Sequence, residues 1–413
     1  MAALGIDFGS SFCTVSWLNP QSGKPEAVKF NGDGSVKLPS VLLCTEDGFI
    51  LGFEAQSYLD EVSKLPYEQR MEMMADFIPS LKRILDPKMK EYLCGKEYSH
   101  LTLLKKIFEY LIGKAKDHCG SKYEIDSITF AHPVDFPNTK VKLIEKAIRD
   151  LGYDQVSTIE EPVAAVKGYG IDHQIDDGEG ILVFDFGGGT IDVAFVRKNY
   201  GELQVAVPPK GNSNCGGQDF DYLLYDDLRK KVKSEYTADI SNNGVIDQII
   251  LSNCRRLKEK FSGGNDAYET VMMLFINGKL QQYKYRLSRE AFNSIIYKKV
   301  NDAVVVAKQV VNEVKTKGYK IDKVLLIGGS SQLTLVRELL DDIVEDTVID
   351  TCGEKDIAVA LGCMDYEEHE EACIDSEQEV ESERETAPES PQPSVKVVHS
   401  VLDAIREKYK NGK

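Results

Sequence analysis

The nine cysteines, at positions 13, 44, 94, 119, 215, 254, 352, 363 and 373, contain no C-x-x-C pair. That removes the local signature of zinc or thiol–disulfide chemistry and leaves free thiols suited to a reducing cytoplasm. Long apolar runs are also missing. Runs such as Ala303–Ala307 and Val324–Ile327 are four or five residues long, against the roughly 20 that a membrane-crossing helix needs. No basic flank precedes Ala2-Ala3-Leu4, so no secretory leader is expected. Nor is there a surplus of cations: 50 Lys and Arg face 67 Asp and Glu, a net charge of -17, which argues against nucleic acid or an anionic membrane as partner. What remains is an acidic chain of 413 residues, 42% hydrophobic, long enough for one two-lobed body or two to three domains.

The negative charge is unevenly spread. Residues 366–393 hold eleven acids and one base (Arg384), together with Pro388, Pro391 and Pro393 and almost no large apolar side chain. Such a segment cannot offset its own ordering entropy and reads as a disordered acidic linker. A solvated tether is the plain interpretation, and a docking site for a basic partner the sharper one. Beyond it, in 394–413, Val395, Val398, Leu402, Ile405 and Tyr409 recur at helical spacing before Asn411-Gly412, the pattern of a short amphipathic helix.

From residue 1 to about 365 the pattern is α/β. A β-branched run at Ile125–Phe130 precedes a helix from about Asn138 that ends at Gly152. Next come a short run at 156–159, a helix opened by Pro162, strands at Ile181–Phe186 and Ile191–Arg197, a helix over Gln248–Phe261 and a strand at Lys323–Ile327. The last runs into Gly328-Gly329-Ser330-Ser331 and a helix over Leu333–Leu340, a layout that presents backbone amides to an anion.

One local pattern occurs twice: Gly5-Ile6-Asp7-Phe8-Gly9-Ser10-Ser11 and Val183-Phe184-Asp185-Phe186-Gly187-Gly188-Gly189-Thr190. In each, an apolar strand carries an aspartate to its end and a glycine-rich turn with hydroxyl residues follows. Two such units suggest related lobes across a cleft, roughly 1–170 plus 335–365 and 171–334. Glycine turns let amides approach phosphate oxygens, and the aspartates, repelled by phosphate, suit a divalent cation held through water. Either aspartate alone would read equally well as a turn cap. The duplication together with Gly328-Gly329-Ser330 favours a polyphosphate clamp with Asp7 and Asp185 on the metal side. No G-x-x-x-x-G-K-[ST] or G-x-G-x-x-G motif is present, and neither Asp-Phe-Gly is preceded by a His-Arg-Asp loop, so P-loop, dinucleotide and protein-kinase readings fail.

Six segments in succession resemble the signatures of the ATPase domain of DnaK-type heat-shock 70 chaperones. They are Gly5-Ile6-Asp7-Phe8-Gly9-Ser10-Ser11, Pro133-Val134-Asp135-Phe136, Glu161-Pro162-Val163-Ala164-Ala165, Asp185-Phe186-Gly187-Gly188-Gly189-Thr190-Ile191-Asp192, Gly216-Gly217-Gln218-Asp219-Phe220-Asp221 and Ile327-Gly328-Gly329-Ser330-Ser331. The resemblance spans about residues 3–365. It implies an actin-like fold of two lobes, each a mixed sheet flanked by helices, with ATP or ADP and Mg²⁺ at the bottom of the cleft.

It further implies that Asp7 and Asp185 stand on the metal side, that Ser10, Ser11 and Thr190 with Gly187, Gly188 and Gly189 hold phosphates, and that Phe12 belongs to the nucleotide site. Glu161 and Asp192 would order water, and Gly216, Gly217, Lys258, Gly328, Gly329, Ser330 and Asp356 would surround the nucleoside. Pro133 would lie at the hinge. Three departures stand out. Gln56 occupies the place read as the family's catalytic lysine, which implies slow hydrolysis unless Lys64 reaches in. Glu259 and Gln332 replace two arginines that sandwich adenine. Nothing after residue 365 resembles the family's interdomain linker or peptide-binding domain.

The expectation is a Mg-ATP-binding, slowly hydrolysing protein of protein folding, with chaperones or co-chaperones as partners. Its rivals are an ATP-locked scaffold without turnover, a sugar kinase and a filament former. The sequence leaves the oligomeric state open.

Overall fold

The computed structural model describes residues 2–364 apart from 63–75, 79, 121–122, 213–214, 241–243, 264, 345–346 and 352–356. The linker and closing helix expected over 366–393 and 394–413 lie outside the described residues, as do Lys64 and Asp356. The chain divides after Asp365 into two units, and only the first is described.

Two mixed sheets dominate it. The first runs Gln155–Glu160, Ile125–His132, Ala2–Phe8, Phe12–Leu18, Pro25–Ala27; the second runs Val348–Thr351, Lys323–Ile327, Gly180–Phe186, Ile191–Asn199, Glu202–Val205. Both have one plan. In each, two strands run parallel to a central strand, which then pairs antiparallel with its hairpin partner. Asp7 pairs with Thr14 in the first hairpin and Asp185 with Asp192 in the second. The central strands are buried along most of their length, as expected where helices cover both faces of a sheet.

Each sheet has its own core. Leu4, Ile6, Phe8, Leu104, Phe108 and Phe130 belong to the first, and Phe184, Phe186, Phe195, Phe220, Phe261 and Phe292 to the second. The flanking helices include His100–Cys119 and Asn138–Arg149 in the first lobe and Gly217–Tyr236, Gly244–Lys260 and Arg289–Thr316 in the second. This is the α/β, two-lobed actin-like ATPase fold.

The lobe boundary expected at residue 335 moves. Leu335, Val336, Leu340 and Val344 of the helix Thr334–Val344 lie in the second core, and Val348–Thr351 pairs parallel with Lys323–Ile327. Only the helix Ala358–Gly362 returns to the first sheet, where Ser16 Oγ donates to the Ala360 carbonyl at 2.6 Å. That helix packs against Glu161–Tyr169, the helix by which the chain left the first lobe. A Cβ at Gly168 would collide with the Ala358 backbone, and one at Gly362 with the Ala164 carbonyl. Both lobe crossings therefore meet backbone to backbone, and their side chains join Ala131, Val183 and Leu325 in a third core between the lobes.

Candidate functional site

The cleft between the sheets has a volume of about 960 Å³ and is lined from both lobes, within the size range of small-molecule sites. The two hairpins expected to clamp phosphate face each other closely: a Cβ at Gly188 would lie 2.5 Å from Ser11 Oγ. Side chains there would block the approach, which is why glycine occupies the turn. The second turn is fastened from behind. Gly217 and Gln218 donate to the carbonyls of Gly187 (3.1 Å) and Gly188 (2.7 Å), and Ser330 Oγ donates to the Gly187 carbonyl at 2.7 Å. Gly328, with φ of +80°, presses the third glycine turn against the Phe186 carbonyl and Asp185, a conformation that favours glycine.

Beneath the hairpins four carboxylates meet one ammonium. Lys82 Nζ donates to Glu161 Oε1 at 2.6 Å, with side chains 10% and 14% exposed. Burial, then Glu161, pushes the Asp7 carboxyl up to about 7, against the pull of Lys82. Asp192 is likewise raised to about 7 by burial, then Glu161 and Asp135. Asp185 is raised well above the usual carboxylate range by burial and by Glu161, Asp192 and Asp7. Burial opposes the charge of Lys82, but Glu161, Asp7 and Asp185 raise it overall. One lysine leaves this cluster short of positive charge, which is the electrostatic setting a divalent cation satisfies.

Among the described residues no three His, Cys, Asp or Glu side chains converge tightly enough to cage a metal. Mg²⁺ is seldom caged in that way: it keeps water and is held by one or two carboxylates plus substrate phosphates. Asp7 and Asp185, at the ends of the two central strands, fit that mode.

Ser10, Ser11, Phe12, Glu161, Asp192, Gly187, Gly188, Gly189, Thr190, Gly217, Lys258, Gly328, Gly329 and Ser330 all line the cleft with Asp7 and Asp185. Gly216 does not. It is packed against Gly189 and precedes the helix Gly217–Tyr236, its amide donating to the Asp219 carboxylate at 2.8 Å. Gln56 is also absent from the lining: it lies on the helix Gly52–Val62, so the expectation of a missing cation is corrected. The cation in place is Lys82, on the short helix Leu81–Ile84. Buried Leu81 and Leu85 anchor that helix and Lys82 and Arg83 line the cleft. The sequence offers only a basic pair between apolar neighbours, Leu81-Lys82-Arg83-Ile84-Leu85, which by itself names no role.

Elsewhere in the cleft, Lys258 Nζ bonds Asp221 Oδ1 and the Gly217 carbonyl, both at 2.7 Å. Glu259 and Gln332, expected at the nucleoside, line the cleft with Arg255, Ser262 and Leu333. Contacts cross between the lobes here. Arg83 Nη1 donates to Gln218 Oε1, and the Arg255 guanidinium lies 5.9 Å from the centre of the Phe12 ring. Behind the carboxylates a second cavity of about 90 Å³, walled by Val134, Ala165, Val183, Val193 and Ala194, shares Glu161, Asp185 and Asp192 with the cleft. Pro133 borders both spaces.

Comparison with known proteins agrees with this geometry. Curated relatives include proteins named chaperone protein DnaK from Thermosipho melanesiensis (26% identical over 344 residues), Ureaplasma urealyticum (27% over 344) and Thermotoga petrophila (26% over 342). In each case 82% of this chain aligns with 54% of the relative, so the chain spans about half the length of the curated relatives it matches. The family model described as Hsp70 protein matches residues 3–365, and the chain belongs to the Hsp70 family.

Proposed function

We propose that this chain binds Mg-ATP in the cleft and hydrolyses it to ADP and phosphate in a chaperone-type role. The observation that carries this reading is the Lys82–Glu161 pair beside Asp7, Asp185 and Asp192. Hydroxyls of Ser10, Ser11 and Thr190 and the amides of Gly187–Gly189 would bind phosphate oxygens. Lys82 would neutralise charge developing on the terminal phosphoryl group, and Glu161 would hold Lys82 in place. Asp192 is the base that would orient the attacking water and take its proton. A Mg²⁺ ion held through Asp7 and Asp185 would neutralise phosphate charge. Phosphoryl transfer depends mainly on positioning and charge compensation, and this set supplies both.

The earlier expectation of slow turnover rested on Gln56, which lies outside the cleft lining. The scaffold alternative rested on the same residue and is not favoured. A chaperone-type role follows from relatives named chaperone protein DnaK. Among the described residues no helix is long and apolar enough to cross a membrane. Titration calorimetry with ATP and Mg²⁺, followed by phosphate release, tests the reading; no heat of binding at millimolar nucleotide would sink it.

A further inference from the structure

On the nucleotide-binding reading the base lies among Arg255, Glu259, Ser262, Gln332 and Leu333 of the cleft lining, and none of these is aromatic. The cations there are engaged. Arg255 Nε bonds Glu259 Oε1 at 3.0 Å while its guanidinium reaches the Phe12 ring, and Lys258 is held by Asp221 and Gly217. A base entering here meets no aromatic face among these residues, so hydrogen bonds to its edge weigh most in which base is kept.

Glu259 is 57% exposed and its partner Arg255 47%. An exposed pair one helical turn apart is weak, so a base donor can displace the guanidinium. A carboxylate only accepts hydrogen bonds. Guanine presents adjacent N1–H and N2–H donors that match two carboxylate oxygens, as a guanidinium does, whereas adenine presents one amino group.

We propose that Glu259 makes this cleft a purine nucleoside triphosphate site that accepts guanine at least as well as adenine. The inference rests on the nucleotide-binding reading above and adds the identity of the base to it.

Calorimetry on the full chain with Mg-ATP, Mg-GTP and inorganic tripolyphosphate tests it. The expected result is GTP within about threefold of ATP or tighter, both above tripolyphosphate, with Glu259→Gln weakening GTP about tenfold and ATP less than about twofold. Thermal melting of the variant checks that it remains folded. ATP preferred beyond that margin, an equal effect of Glu259→Gln on both nucleotides, or tripolyphosphate matching both would overturn the proposal while leaving phosphate binding intact. Failure of all three ligands to bind would overturn the nucleotide reading itself.

Discussion

Lys82 Nζ and Glu161 Oε1, 79 positions apart in the chain, lie 2.6 Å from each other beneath the glycine hairpins. Removing the ammonium while keeping the length of its stem, as in Lys82→Met, is expected to lower ATP turnover about 10²–10³-fold, the typical cost of one lost transition-state stabiliser. Nucleotide affinity should change much less. Gln56→Lys should leave turnover unaltered, since residue 56 is not in the cleft lining. Steady-state phosphate release on both variants checks this, and a several-fold acceleration by Gln56→Lys would contradict the assignment.

The carboxylate cluster sets a pH dependence for the nucleotide-free protein. Asp7 and Asp192 titrate near 7 when folded and near 3.8 in their ordinary state. Between these values the folded chain binds more protons than the unfolded one, so these two groups lower stability as pH rises from about 4 to 7. Asp192→Asn should flatten part of that slope. Melting temperatures from pH 5 to 7.5, with and without Mg-ATP, provide the measurement; the same slope in wild type and Asp192→Asn would disprove the role of this group.

Two glycine substitutions should act in opposite directions. Gly362→Ala forces a methyl group into the Ala164 carbonyl at the crossing of the lobe-joining helices, and overpacking of this kind costs about 1–3 kcal/mol or more. Gly113 lies inside the helix His100–Cys119 with nothing within 4 Å of a built Cβ. Gly113→Ala should therefore stabilise by about 0.5–1 kcal/mol through helix propensity. Urea unfolding midpoints distinguish the two.

Phe12 follows the first phosphate turn, and Arg255 reaches it from the opposite lobe. Partly exposed cation–π contacts contribute about 0.5–1 kcal/mol. Phe12→Leu and Arg255→Gln are each expected to accelerate release of a fluorescent nucleotide about two- to fivefold, and the double variant should gain less than the product of the two. Strictly multiplicative rates would show that the residues act independently.

Both glycine hairpins were legible because everything they need is contiguous: an apolar strand, an aspartate, glycines and hydroxyls. Lys82 was not, because its role comes from burial beside a carboxylate far away in sequence. The lobe boundary was misplaced for a similar reason. Val348–Thr351 gives no local sign that it pairs with Lys323–Ile327 rather than with the first sheet. The hairpin Ala267–Ile276 with Lys279–Ser288 carries the Asn277-Gly278 turn, both residues at positive φ. That signal is local and strong, and the sequence reading passed over it.

The shared strand plan of the two sheets has a final consequence. A site made of two identical halves would be indifferent to the direction in which a linear ligand lay. Here the residue facing the strand-end aspartate is Thr14 in one half and Asp192 in the other. That single inequality gives the cleft a polarity. On the proposed reading the carboxylate that activates water, Asp192, belongs to the second half, so a triphosphate chain would be productive in one orientation and inert in the reverse.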